Sequence, residues 1–412
     1  MTARRRMASF AAIIVAGLLG CSNPSDTAPT TSAPNAEVPT TSLPSTTTVP
    51  ASTSTSTWPE DAVFVPPGTD LAELVEQSEP GAVFVLQAGV HQSHDPDAHV
   101  IPKAGQTFLG EPGAILDGAG VVPFAFLDSA GTAPNVTIRG LIIQNYANAP
   151  ERGAVDTISP GWQLEANEIR DNAGAGVNLR GDGAVLDRNF IHHNDQIGVL
   201  IQDSSGARVI GNEIAHNNPD DSYDPSWEAG GTKFLRTTDL YVADNHVHDN
   251  HGPGLWTDHR NVGTVYEGNR VIDNTGPGIF HEISGSAVIR DNVVTGNAHD
   301  FYMGGILVAN SDHVTVTGNI VSGNNGGVVG LQEHRDGPLL VNLEVALNVI
   351  SHKVGVTGVV IQSGPDVTRS GSLVFRENTY EVAGSRPFQW GSRRLTREQW
   401  AALGLDVPAG SP

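Results

Sequence analysis

The sequence predicts an all-β fold, a parallel β-helix, from a repeated asparagine phrase, a short period and alternating apolar strands. The phrase Asn-x-(Ile/Val), with one looser copy, NTY, occurs nine times at intervals of 22 to 33 residues. Repeats of this length are typical of solenoids. The phrase begins at Asn167, Asn189, Asn212, Asn245, Asn269, Asn292, Asn319, Asn348 and Asn378.

Short strands lie between the asparagines, in segments such as GVLIQ, GLWTD, GIFHE and GILVA. Their apolar residues alternate, which indicates one buried face and one wet face. A unit of 22 to 24 residues cannot cover its own apolar face, so successive units must stack on one another. We therefore predict a solenoid of about 9–11 coils over residues 58–385.

The turns carry a second asparagine, five residues after each of the first seven phrases. An asparagine at the same turn of every coil can hydrogen-bond its amide to the coils above and below. We therefore predict a structural role for both asparagine columns.

Both ends of the solenoid have a segment that can close it. GTDLAELVEQSEPG reads as an amphipathic helix that covers the first coil. In residues 386–412, Thr396 can cap a short helix, REQWAALG, whose Trp400 covers the last coil. Short capping helices would prevent the end coils from pairing with other molecules.

The chain begins with a basic segment, an apolar run and small residues before Cys21, which is the order of a secretory signal. LLGC resembles a bacterial lipoprotein signal, in which the cysteine after the cleavage site receives lipid. We predict a signal peptide at 1–20 and a Ser/Thr/Pro-rich disordered tether at 21–57. The protein is then exported and lipid-anchored at Cys21 to the outer face of the bacterial cell membrane.

The formal net charge is −22, and the chain has only three lysines. This balance argues against nucleic acid as a partner, although it leaves a local basic site possible. We expect a monomer that meets the membrane only through its lipid anchor.

The repeats, AVFVLQAGVH near the start and LTREQWAALGLD near the end resemble the right-handed parallel β-helix superfamily of pectate-lyase-like proteins. The resemblance covers roughly residues 60–405. It implies a right-handed solenoid. Members of the superfamily include polysaccharide lyases, glycoside hydrolases, epimerases, adhesins and phage tailspikes, so the reaction must be argued from the site.

Alternation also predicts which side chains point away from the core. In GLWTD and GIFHE the second and fourth residues face inward, and the third and fifth face outward. Two outward columns follow, with one residue per coil at the sheet spacing of about 4.8 Å. The first column is Asn178, Leu200, Lys233, Trp256, Phe280 and Leu307; the second is Arg180, Gln202, Leu235, Asp258, Glu282 and Ala309.

Asp258 and Glu282 are therefore predicted neighbours on one sheet face, flanked by apolar groups. Two adjacent carboxylates repel each other, so one of them should keep its proton to higher pH. One protonated and one ionised acid are what glycoside hydrolysis needs. Glu228, across the groove, is a third candidate catalytic acid.

The interval of 33 residues contains an insertion, NPDDSYDPSWEAG, that should leave the solenoid as a loop near these acids. It brings Trp227 and Glu228, and GLQEHR adds groups from the next coils. Aromatic side chains there could stack on sugar rings. The predicted substrate-binding residues are Lys233, Trp256, Trp227, Phe280, His259, Glu333 and His334.

Three functions remain open at this point. The first is a glycoside hydrolase acting on a polysaccharide or oligosaccharide. The second is a polysaccharide lyase with Lys233 or Arg260 as base, as the family resemblance implies, and the third is a non-catalytic glycan-binding protein. No cofactor or metal is required; Ca²⁺ is possible at PDDSYD, which lacks the spacing of an EF-hand loop.

Overall fold

The computed structural model describes residues 58–300 and 302–406. The predicted signal peptide, the lipidation site at Cys21 and the tether lie outside the described residues. The described chain is a parallel β-helix, as the asparagine phrase and the alternating strands predict.

Three long sheets run along the solenoid, and each coil between its two ends contributes one short strand to each sheet. The first sheet contains Val63–Val65, Val83–Leu86, Thr107–Gly110, Thr137–Arg139, Gln163–Glu165, Val185–Asp187, Arg208–Ile210, Tyr241–Ala243, Thr264–Glu267, Ala287–Arg290, Asp312–Thr317, Val341–Ala346 and Leu373–Arg376. The second sheet contains Gly89–Gln92, Ala114–Asp117, Ile142–Gln144, Glu168–Arg170, Phe190–His192, Glu213–Ala215, His246–His248, Arg270–Ile272, Val293–Thr295, Ile320–Ser322, Val349–His352 and Thr379–Val382. The third sheet contains Phe126–Asp128, Gly153–Thr157, Ala175–Leu179, Ile197–Gln202, Gly230–Leu235, Leu255–Asp258, Ile279–Glu282, Ile306–Ala309, Val328–Gln332, Thr357–Ile361, Phe388–Gly391 and Arg393–Leu395.

The three sheets contain 13, 12 and 12 of the described strands, which corresponds to about 12 coils. The predicted 9–11 coils are too few because the first coils lack the asparagine phrase on which the prediction was based. The strands pair in parallel except at the C-terminal end, where Phe388–Gly391 and Arg393–Leu395 are antiparallel.

Two asparagine columns line the turns, as predicted. In the first, the Asn167 side chain donates to Asn189 Oδ1 at 3.0 Å, and the same bond repeats coil by coil to Asn378. In the second, equivalent bonds link Asn172 through to Asn324. Each amide also satisfies backbone groups at the bend, which would otherwise be buried without a partner.

Short helices lie at both ends of the described solenoid. Asp70 caps the helix Leu71–Gln77. At the other end Thr396 and Gln399 form a capping box for the helix Arg397–Ala402, and a single 3₁₀ turn precedes it at Val367–Arg369. Within the described residues, neither α-helix has the length and apolar character of a membrane span.

The buried Trp400 side chain closes the last coil. Its ring stacks on Phe388 with the centroids 4.8 Å apart. Its indole N–H donates to Asp406 Oδ2 at 2.8 Å, so the polar edge of the ring is also satisfied.

Candidate active site

The strand register brings the two outward columns together as the alternation predicts. Asp258 pairs with Glu282, and Trp256 pairs with Phe280. The coil with the irregular interval keeps the same phase, because Leu235 pairs with Asp258. Both acids and both aromatic residues therefore lie on the face of the third sheet that points away from the core.

The prediction that Trp256 and Phe280 are exposed for sugar stacking is wrong. Their exposed fractions are 2% and 1%. They belong to a second apolar cluster outside the solenoid core, with Leu307, Ala309, Val329, Leu331 and Val356. The connecting segment that carries Tyr302 and Met303 packs on this cluster, and the Tyr302 ring lies 5.5 Å from that of Phe280. Alternation shows that a side chain leaves the core, but it does not show what covers that side chain.

Lys233 forms an ion pair with Asp258. Its Nζ lies 3.1 Å from Asp258 Oδ2, and the two side chains are 11% and 18% exposed. The ammonium also lies 3.9 Å from the centre of the Trp256 ring and donates to the Trp227 carbonyl oxygen. A carboxylate, an aromatic face and a carbonyl oxygen all suit a positive charge.

Glu282 is almost completely buried, and both of its carboxylate oxygens accept hydrogen bonds. Arg335 donates to Oε1, and the Trp256 indole N–H donates to Oε2 at 2.9 Å. These donors favour the ionised form, whereas burial and the neighbouring charge of Asp258 favour the protonated form. Burial and the charge of Asp258 outweigh the two donors, and the pKa of Glu282 is raised to about 7.

Arg335 is the functional residue that the predicted site omits. It lies in GLQEHR, on the turn after Val328–Gln332, and it reaches back to Glu282 across two coils. Its second nitrogen donates to Glu333 Oε2 at 2.9 Å. Glu333 therefore lies at the site as an acceptor for Arg335, while His334 is exposed and bonds to Ser363 through its backbone N–H.

The inserted loop brings Trp227 and Glu228 to Lys233, as predicted. The Trp227 side chain is 70% exposed, and its ring lies 5.6 Å from Lys233 Nζ. Glu228 is half-buried, and burial together with the charges of Glu151 and Asp224 raises its pKa. Trp227 thus offers an exposed aromatic ring on which a sugar can stack.

His259 and Arg260 occupy the turn after Asp258, both with left-handed backbone angles. His259 is half-buried and Arg260 is exposed. His281 points inward, as predicted, with Nδ1 2.7 Å from the Thr257 hydroxyl oxygen and Nε2 2.8 Å from the Gly285 carbonyl oxygen. Burial lowers the pKa of His281 to about 4, so it is a neutral core residue.

Known proteins resemble this chain in fold. The family model described as "Right handed beta helix region" matches residues 154–319. The A-module of the mannuronan C-5 epimerase AlgE4 from Azotobacter vinelandii is 15% identical with a TM-score of 0.59, over 79% of this chain and 93% of that chain. PfbA, a surface adhesin of Streptococcus pneumoniae, is 12% identical with a TM-score of 0.53, over 79% of this chain and 88% of that chain. No curated protein matches the sequence.

These matches confirm the right-handed parallel β-helix. One solved structure is an enzyme and the other is an adhesin, so the shared fold does not define a reaction. Chemistry must therefore be argued from the row of charges on the third sheet and the turn beside it: Lys233, Asp258, Glu282, Arg335 and Glu333.

Proposed function

We propose that this right-handed parallel β-helix protein is a glycoside hydrolase that acts on a polysaccharide. The observation that carries the proposal is the unequal environment of two register partners. Asp258 is partly exposed and paired with Lys233, whereas Glu282 is buried with its pKa raised to about 7. This difference suits one ionised and one protonated carboxyl group at neutral pH.

In this proposal Glu282 donates a proton to the departing glycosidic oxygen. Asp258 then activates a water molecule or attacks the anomeric carbon directly. Register partners on adjacent strands are separated by about 4.8 Å, which suits the short carboxyl spacing of retaining enzymes. Water activation, by Asp258 or by Glu228 from the inserted loop, would instead give inversion, so the anomeric configuration of the first product distinguishes direct attack by Asp258 from water activation.

Trp227 supports carbohydrate as the substrate class. The ring is large and 70% exposed, so stacking on the apolar face of a sugar would remove apolar surface from water, which is favourable. Lys233 lies near the Trp227 ring and contacts Asp258, and both side chains are partly exposed, so their polar atoms can bond to sugar hydroxyl groups. A neutral glycan fits best, because both cations of the row are already paired with acids.

Lys233 is less suited to act as the base of a lyase. A base that removes a proton must be a neutral amine, whereas Asp258, the Trp256 ring and the Trp227 carbonyl oxygen surround Lys233 with groups that attract a cation. Arg260, the other candidate base, is exposed on the following turn. The environment of Lys233 therefore favours the hydrolase hypothesis over the lyase hypothesis.

The reaction class can be tested by incubating the full-length protein with a panel of plant, algal and bacterial cell-wall polysaccharides. Hydrolysis releases reducing ends without ultraviolet absorbance, and this is the expected result. Release of reducing ends together with the ultraviolet absorbance of an unsaturated uronate, which forms at the new non-reducing end, would identify a lyase. Binding of a glycan without any release would identify the non-catalytic alternative.

We further propose that the protein acts while tethered by lipid at Cys21 to the outer face of the cell membrane. A single cysteine directly after an apolar leader supports this location. Cys21→Ser should move the protein from the membrane fraction to the soluble fraction. An unchanged distribution would refute the anchor.

A further inference from the structure

A band of histidines crosses three successive coils on the second sheet, whereas the proposed active site is on the third. The strands Phe190–His192, Glu213–Ala215 and His246–His248 are adjacent and parallel, with Glu213 paired to His246. The band consists of His192, His193, His216, His246, His248 and His251.

The turn after each of these strands begins with a residue in the left-handed conformation. The φ angles are 52° at His193, 54° at His216 and 51° at Asp249. Histidine and aspartate are among the few non-glycine residues that accept this conformation readily. Because the coils stack, the turn positions of successive coils bring imidazole and carboxylate groups close together.

His248 lies between two carboxylates. Its Nδ1 is 2.7 Å from Asp249 Oδ2, and its Nε2 is 3.2 Å from Glu213 Oε1. A neutral imidazole has one N–H and can donate to only one of these oxygens. The other contact then joins two acceptor atoms, an arrangement that a shared metal ion would satisfy. Histidines that bind metals commonly donate their second ring N–H to a carboxylate, as Nε2 can here to Glu213.

We propose that His216, His248 and Asp249 bind one divalent transition-metal ion of the zinc class, with Glu213 orienting His248. The ligand atoms of the three residues lie within 4.8 Å of one another. Small side-chain rotations would bring each to the usual distance of about 2.0–2.2 Å from a shared ion. Imidazole and carboxylate donors together suit Zn²⁺, Ni²⁺ or Cu²⁺, whereas Ca²⁺ and Mg²⁺ prefer sets of oxygen ligands.

A surface cavity is lined by two of the three ligands, His216 and Asp249, and gives an ion access from solvent. It is lined by His193, His216, Pro219, Asp249, His251, Asp273 and Thr275. The His193 ring is 5.0 Å from the His216 ring. The fourth coordination position is therefore open to water or to His193.

Glu213, His246 and His248 form an overlapping set of possible ligands. The ring planes of His246 and His248 are stacked, with 4.2 Å between centroids and 28° between planes. By contrast, the rings of His216 and His248 are nearly perpendicular, at 83°, with 5.6 Å between centroids. Perpendicular imidazoles can direct nitrogens to a common point more readily than stacked ones, which favours the set with His216.

The ion would join the two coils that flank the inserted loop. His216 and Asp249 occupy equivalent turns on either side of the 33-residue interval, whose inserted loop carries Trp227. The backbone N–H of His216 already donates to the His248 carbonyl oxygen. A metal bound there would strengthen the attachment of these coils below the loop, without taking part in the reaction proposed for the third sheet.

Titration calorimetry of the EDTA-treated full-length protein with ZnCl₂ tests the site. We expect one Zn²⁺ per chain, which excess CaCl₂ does not displace. His216→Asn and Asp249→Asn keep a residue that tolerates the left-handed turn but remove a ligand, so each should weaken Zn²⁺ binding at least about 10-fold. Glu213→Gln should weaken it by about 10- to 100-fold, as loss of an orienting carboxylate does elsewhere.

His313→Asn is the matched control. His313 also has a left-handed backbone, with φ of 56°, and lies 3.4 Å from an acid, Asp312. Zn²⁺ binding by this variant and by His246→Ala should equal that of the unmodified protein. Thermal unfolding of all variants in EDTA checks that they fold. Absence of Zn²⁺ binding, or its loss in His246→Ala but not in His216→Asn, would overturn the assignment.

Discussion

Asp258 and Glu282 are register partners on adjacent parallel strands, but each carboxyl group is paired with a cation from a different coil. Lys233, from the preceding coil, contacts Asp258, and Arg335, from two coils further on, contacts Glu282. The two acids are therefore adjacent, and one cation contacts each of them, from opposite directions along the solenoid. Because their cation partners and their burial differ, the two acids are not equivalent, and each can take a different role in the reaction.

The Lys233–Asp258 ion pair should contribute to stability as well as to the site. Lys233→Met leaves Asp258 without its cation. Removing one partner of a buried pair costs about 3–5 kcal/mol, and the partial exposure of this pair reduces the expected loss of unfolding free energy to about 2 kcal/mol. Urea unfolding followed by circular dichroism measures the change.

The double variant Lys233→Met/Asp258→Asn is the control for that experiment. It also removes the unpaired carboxylate charge of Asp258, so it should recover part of the lost free energy of unfolding. A double variant that is less stable than Lys233→Met would contradict the ion pair as the source of the effect.

The pH dependence of hydrolysis should report the protonation of Glu282. A general acid works only while it is protonated, so kcat/KM should fall as the pH rises above about 7. Arg335 opposes the raised pKa of Glu282, and Arg335→Met should therefore move the falling limb to higher pH. A limb that stays in place in this variant, or moves to lower pH, would show that Glu282 is not the titrating acid.

Trp227 and Trp256 should respond in opposite ways to substitution by alanine. Trp227 is 70% exposed, so Trp227→Ala should change the free energy of unfolding by less than about 0.5 kcal/mol. It should raise KM by about 5- to 10-fold through loss of stacking on the sugar. Trp256 is buried, and Trp256→Ala should cost about 3–5 kcal/mol. Steady-state kinetics and urea unfolding of the two variants check both expectations.

The asparagine columns should be purely structural. Asn319 Oδ1 accepts from the backbone and side chain of Asn292, and its amide donates to Asn348. Asn319→Ala leaves buried groups without partners and should reduce the free energy of unfolding by about 2–3 kcal/mol. Ser322→Ala, three residues away, removes only one half-buried hydroxyl contact and should be nearly neutral. Equal stability of the two variants would refute the ladder's role.

The coil and the phase of its strands could be predicted because both are written locally in the sequence. Asn245 and Asn250 keep the phrase and the turn in register even across the interval of 33 residues. The strict alternation of each strand then fixes which residues leave the core. This is why the placement of Asp258 beside Glu282 agrees with the structure.

The coverage of the third sheet could not be predicted, because connecting segments have no period. Nothing in GIFHE indicates that Phe280 is buried beneath the segment that carries Tyr302 and Met303. Arg335 comes to Glu282 from 53 residues away, along a turn whose path depends on packing. The raised pKa of Glu282 follows from that packing. The sequence therefore indicates a pair of acids without indicating which one is protonated.

The most direct measurement is the rate of reducing-end release by Glu282→Gln on a polysaccharide that the unmodified protein hydrolyses. Glutamine keeps the shape of the side chain but cannot donate the proton, so the rate should fall by about 10²- to 10⁴-fold. Glu344→Gln, at a glutamate paired with Arg376 on the first sheet, should leave the rate unchanged. Equal rates for Glu282→Gln and the unmodified protein would contradict the proposed site.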